Sequence, residues 1–141
     1  MVSNLVAFNR TYDETHDIII EARNYMAYWE LRENHLRNGG RDLKITSETM
    51  RVTTRLLQVM AWLMLVRAFQ HGEIPMEEIS RDCNRLSGQE VCLAHEGASN
   101  FMLPTGLQSL LDRSYALYQR VSRLEQMLLT HWDGGRGISD N

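Results

Sequence analysis

Proline is nearly missing from this sequence. Pro75 and Pro104 are the only two in 141 residues, and so few breakers favour long uninterrupted helices over a strand-and-turn architecture. Cysteine is as scarce. Cys83 and Cys92 are too few to staple a secreted scaffold, so they read as two reduced cytosolic thiols rather than as a disulfide. Positive charge is not in excess either: the formal net charge is -3 and the pI about 5.9. Phosphate neutralisation supplies much of a nucleic-acid binder's affinity, so this balance argues against nucleic acid unless a local basic patch exists. The longest apolar run, Val59 to Ala68, is interrupted by Arg67 and falls short of the roughly 20 residues a membrane span needs. The opening Met1 to Phe8 lacks a basic flank, and its apolar stretch is too short for a secretory signal. A cytoplasmic protein without membrane insertion is expected.

What is present is helical. The length suits one domain with a real core, and an apolar share of 43% places it among ordinary globular chains. A first helix is expected from about Asn9 to Arg37, capped by Asn9 or Thr11, with a stripe at Tyr12, Ile19, Ala22, Met26 and Trp29. Asn38-Gly39-Gly40 is expected to stop it. A second helix should run from Thr46-Ser47 to His71, closed by Gly72, and a short one should follow Pro75 and end near Asn84. Arg85 to Leu103 shows no period and reads as a long surface connection. A third long helix should begin at Pro104 or Thr105 and end near Trp132. Its stripe of Leu107, Leu110, Ser114, Leu117, Val121, Leu124 and Leu128 alternates threes and fours, the pattern of a bundle or coiled coil. The fold class expected is all-α: an antiparallel three-helix bundle over residues 1–132 with one short extra helix, and a flexible, Gly-rich tail over 133–141.

The second helix carries the functional interest. Its later half, including Leu57, Met60, Ala61, Trp62, Met64 and Leu65, is apolar nearly all round. Such a helix must be buried on every side, and a second copy of the chain would complete that burial; the alternative is a monomer whose short helix and connection fold over the open side. The earlier half presents Glu48, Arg51, Thr54, Arg55 and Gln58 on one face. Arg51 and Arg55 call for carboxylates. These could belong to a partner protein, or to Glu14 and Glu21 of the first helix.

Catalytic and metal chemistry finds little support. His16, His35, His71, His95 and His131 are scattered, and there is no Glu-x-x-His and no Cys-x-x-Cys. Neither a phosphate-cradling glycine loop nor a nucleophile elbow occurs. The chain is read as non-enzymatic, without cofactor, metal or small-molecule substrate, and as a binder of other proteins. A helical DNA-binding regulator using Arg51, Arg55 and Arg67 is the alternative.

The run from Thr46 to Leu63, with Glu73 to Glu78 and the Ser114, Leu117-Tyr118, Arg120-Val121 and Arg123-Leu124 positions of the third helix, resembles the bacterial RcdA family, regulators of CtrA degradation. The likeness covers essentially the whole chain except Arg85 to Leu103. It implies a dimeric, cytoplasmic three-helix bundle acting as an adaptor for the ClpXP protease at the cell pole. It also implies a ClpX-type unfoldase and receiver-domain response regulators as partners, and a cell-cycle regulator as the protein delivered. Glu48, Arg51, Thr54, Arg55 and Gln58 lie within the matched run.

Overall fold

The fold follows from three long stretches whose apolar residues return every three or four positions. In the computed structural model, which describes residues 2–33, 39–93 and 103–139 (side chains over 6–29, 43–93 and 103–133), these become α1 (Val2–Glu33) and α2 (Gly39–Gln70). The short α3 (Met76–Ser80), a 3-10 turn at Asp82–Asn84 and the short α4 (Gln89–Cys92) lead to the last long helix, α5 (Thr105–Ser139). Among the described residues there is no strand.

Each long helix buries one stripe. In α1 it is Phe8, Thr11, Thr15, Ile18 and Ala22. Tyr12, Ile19 and Met26, expected at its centre, flank it. Two threonines sit in the core because their hydroxyls donate back to the carbonyls of Ala7 at 2.8 Å and Thr11 at 2.7 Å, which satisfies each polar atom locally. In α2 the stripe is Ile45, Val52, Leu56, Val59, Trp62, Leu63 and Val66, and in α5 it is Leu107, Leu110, Leu117, Tyr118 and Val121. Phe8 packs at a tilt against Trp62 with ring centroids 5.8 Å apart, and Arg67 lies over Tyr12 at 4.5 Å.

The helix directions explain the long connection. Five residues, 34–38, link α1 to α2. They reach at most about 18 Å, far less than the roughly 48 Å of either 32-residue helix, so α2, which packs on α1 with Trp62 against Phe8 and Arg67 over Tyr12, runs back antiparallel to it. The pairs Glu21 with Arg113, Glu14 with Arg120 and Tyr25 against Gly106 set α5 antiparallel to α1 as well. Therefore α2 and α5 run parallel, and the chain over 71–104 carries it from the end of one to the start of the other. An antiparallel three-helix bundle was expected; of three packed helices at least one pair must run parallel, and here that pair is α2 and α5.

Boundaries differ from expectation for physical reasons. α1 starts at Val2, ahead of Asn9, and seats Phe8 in the core. Its expected end at Arg37 and the stop residue Asn38 lie outside the described residues. Gly39 and Gly40 begin α2, at a helix start where the amides have no intrahelical partner to lose. Gly72 does close α2. At φ 73° it lets Glu73 N–H reach Ala68 O (2.9 Å) and Gly72 N–H reach Phe69 O (3.0 Å), a Schellman end. The stretch read as a plain surface connection contains α4, and it buries Leu86 and Cys92. Its part over 94–102 lies outside the described residues. α5 continues through the Gly-rich end to Ser139, since each further residue of an existing helix adds a hydrogen bond at low cost.

The later half of α2 is not enclosed within one chain. Trp62 is 1% exposed and Leu57 64%; Met64 and Ala61 are also exposed, and Met60 and Leu65 lie between. Leu43–Gln70 is long and apolar enough to cross a membrane by composition alone, but one side of it forms the centre of the core.

Gly106 gives a direct check on the α1–α5 contact. A Cβ there would stand 2.5 Å from Cε2 of Tyr25. Alanine normally gains about 1 kcal/mol over glycine within a helix, whereas forced overpacking costs about 1–3 kcal/mol. Gly106→Ala is expected to lower the thermal midpoint, and Tyr25→Ala in the same chain to remove the penalty. A raised midpoint in the single variant would show that the two helices are not this close.

Candidate functional site

The polar face of α2 is built largely into the protein's own interior. Glu48 is 4% exposed and takes Lys44 Nζ at 3.3 Å and Arg51 Nη1 at 3.0 Å on its carboxylate. Thr54 bonds back to Met50 O at 2.9 Å. Arg51 keeps a buried Nε–H without an acceptor. Arg55 lies at 1% exposure, so its guanidinium is not at the surface. It donates from Nε to Cys92 O at 2.7 Å and from Nη1 to Leu111 O at 3.0 Å and Ser114 Oγ at 3.2 Å, and lies 5.2 Å from the Tyr115 ring centre. Burial, and then nearby Arg51, pull its pKa below the ordinary arginine value. Glu14 and Glu21, the acids considered for Arg51 and Arg55, pair with Arg120 and Arg113 of α5.

Gln58 belongs to a second group, which clasps the chain just before α4. Its Oε1 accepts from Ser87 N–H at 3.1 Å and Ser87 Oγ at 3.0 Å. Tyr118 donates its hydroxyl to Ser87 O at 3.0 Å, and Glu125 accepts Leu86 N–H at 2.8 Å. With Arg55 on Cys92 O, four side chains from α2 and α5 hold the strap Leu86–Cys92. Burial pushes the Tyr118 phenol up to about 12, with Cys92 and Glu125 contributing. Burial also raises the Cys92 thiol and the Glu125 carboxyl. A buried thiol held protonated is a poor nucleophile.

Sequence reasoning missed Glu125 and Tyr118 as strap holders. The signal was faint: Glu125 stands on the core side of α5, four residues after Val121 and beside Leu124, where a bundle stripe expects an apolar residue.

Outside this clasp, α2 shows an apolar seam. Leu43, Met50, Leu57 and Met64 recur every seven residues at 75%, 65%, 64% and 56% exposure, with Ser47, Thr54 and Ala61 between them. Seven-residue spacing with alternating steps of three and four is a helix-pairing pattern. Among the described residues no group of His, Cys, Asp or Glu gathers as metal ligands. Cys83 is exposed, Cys92 buried, and both are free thiols.

The arrangement is an all-helical fold secured by buried polar side chains, and it has counterparts among known proteins. A family profile described as "Protein of unknown function (DUF1465)" matches residues 2–136. Among solved structures, RcdA from Caulobacter crescentus CB15 is similar, with 32% identity and a TM-score of 0.67 over 86% of this chain and 89% of that one. No curated protein matches. The chain belongs to the RcdA-like family.

Two variants check the clasp. Arg55→Met leaves Cys92 O without its donor and is expected to cost at least about 2 kcal/mol in chemical denaturation, since orphaned buried acceptors cost about 1–3 kcal/mol. Wild-type stability would show no such contact there. Glu125 gives a pH dependence. Its folded pKa lies above the unfolded value of about 4.3, so between the two the native state binds the extra proton. Stability therefore falls as pH rises through the folded pKa. Glu125→Gln should flatten this slope in denaturation curves taken from pH 4 to 8; an unchanged slope assigns it to other groups.

Proposed function

We propose that this protein is a non-enzymatic adaptor in regulated proteolysis. The observation that carries the reading is its likeness over 86% of the chain to RcdA. Its partners would be a ClpX-type unfoldase and receiver-domain response regulators, and its place the cytoplasm at the cell pole, as the family resemblance implies. An adaptor needs only binding surfaces on one body. Tethering raises the local concentration of a client at the protease to about millimolar.

The apolar seam of α2 supports a homodimer. Four large side chains more than half exposed in one line are costly to leave in water, and a second copy would pair them helix to helix. Of the strip Glu48, Arg51, Thr54, Arg55 and Gln58, Glu48 and Arg55 are buried and the other three half-exposed, and Arg51 with Lys44 forms a charged rim suited to another protein. Glu48 supports that rim from beneath, while Arg55 and Gln58 are engaged with the strap.

Sedimentation equilibrium tests the dimer. Leu57→Glu with Met64→Glu changes exposed positions only, and should convert a dimer to a folded monomer; equal mass for both proteins removes the seam from the interface. Crosslinked capture from the native host's lysate tests the adaptor. Wild type should recover an unfoldase or a response regulator, and Lys44→Ala with Arg51→Ala should recover less. Capture of neither, with salt-sensitive binding of duplex DNA instead, would replace the adaptor with a DNA-binding regulator.

A further inference from the structure

We infer that the cleft between α2 and α5 is a peptide-binding site occupied by the chain's own strap, and that a linear peptide segment of another protein with the same anchors exchanges with it. The bonds that hold the strap are of the kind that recognise peptides. Arg55 donates to Cys92 O, Tyr118 donates to Ser87 O, Glu125 accepts Leu86 N–H and Gln58 accepts Ser87 N–H. All four reach main-chain atoms, so they do not depend on which side chains the occupant carries. Specificity rests on two anchors. Leu86 is 7% exposed and Cys92 fully buried, while Gln89, Glu90 and Val91 between them face outward.

The strap has little structure of its own to resist exchange. α4 is four residues long, below any length at which an isolated helix persists in water. Gly88, at φ 71°, turns the chain between the anchors at little cost to the backbone. What favours the strap over a free peptide making the same bonds is tethering, which amounts to about a millimolar effective concentration of that peptide. A fitting occupant is therefore a segment with a leucine-class side chain, a glycine two residues on, and a small apolar side chain four residues after that. This exchange needs no particular role for the protein and stands apart from the adaptor reading.

The test uses the full chain and a labelled synthetic peptide of residues 84–93 under reducing conditions. Leu86→Ala weakens the internal strap but leaves the cleft side chains in place. Fluorescence anisotropy should show the peptide binding this variant at least tenfold tighter than wild type. Adding Gln58→Ala and Tyr118→Phe should abolish the gain. Binding no tighter than to wild type, or a gain that survives those two changes, overturns the inference. Should Leu86→Ala fail to fold by circular dichroism, native-state hydrogen exchange on wild type decides. Leu86 and Ser87 amides exchanging faster than those of Leu117 to Val121, without dependence on denaturant, support local release. Exchange only with global unfolding overturns it.

Discussion

The buried guanidinium of Arg55 is the constraint around which the rest is arranged. It joins three separate parts of the chain: α2, the carbonyl that ends α4, and the first third of α5. A charge this deep is tolerated only when its donors are met, and here they are met by carbonyl and hydroxyl oxygens together with an aromatic face. The return segment must therefore lie where it does, since moving it away would strip Arg55 of Cys92 O. Ser114, an interruption in an otherwise apolar stripe, is explained by the same demand.

Glu48 shows the complementary arrangement on the same helix. Its carboxylate is satisfied by neighbours one turn away in each direction, Lys44 and Arg51. This local network keeps that end of α2 polar. The α1–α5 ion pairs, Glu21 with Arg113 and Glu14 with Arg120, are solvent-exposed, where such pairs are worth about 0–1 kcal/mol. They set the register of the two helices more than they stabilise them. Apolar stripes supply the stability, and the buried polar groups set how the stripes meet.

Periodicity made the three long helices and much of the core legible in the sequence. The α5 stripe from Leu107 to Val121 is buried as read, and Gly72 ends α2 by the chemistry expected of it. The α1 stripe was misplaced, because Thr11 and Thr15 were not counted as core residues; their back-bonded hydroxyls become apparent only once the helix exists. The apolar half of α2 was legible as unusual, but its division into Trp62 inside and Leu57 outside depends on where two other helices fall. The polar strip was legible as one face. That Arg55 reaches a carbonyl 37 residues away, and that Glu14 and Glu21 answer to α5, depends on tertiary geometry that no local pattern encodes. The parallel sense of α2 and α5 was obscured for the same reason, as the connection between them lacks a period of its own.

That parallel pairing bears on how the protein is made. α1 and α2 form a local hairpin that can close as soon as it leaves the ribosome, whereas α5 is contributed by the last quarter of the sequence. Until it arrives, the side of α2 that meets α5, Arg55 included, lacks that neighbour. At synthesis rates of roughly 5–20 residues per second, that interval lasts several seconds, a window in which nascent chains would depend on chaperones and a truncated product would be an early target for quality control.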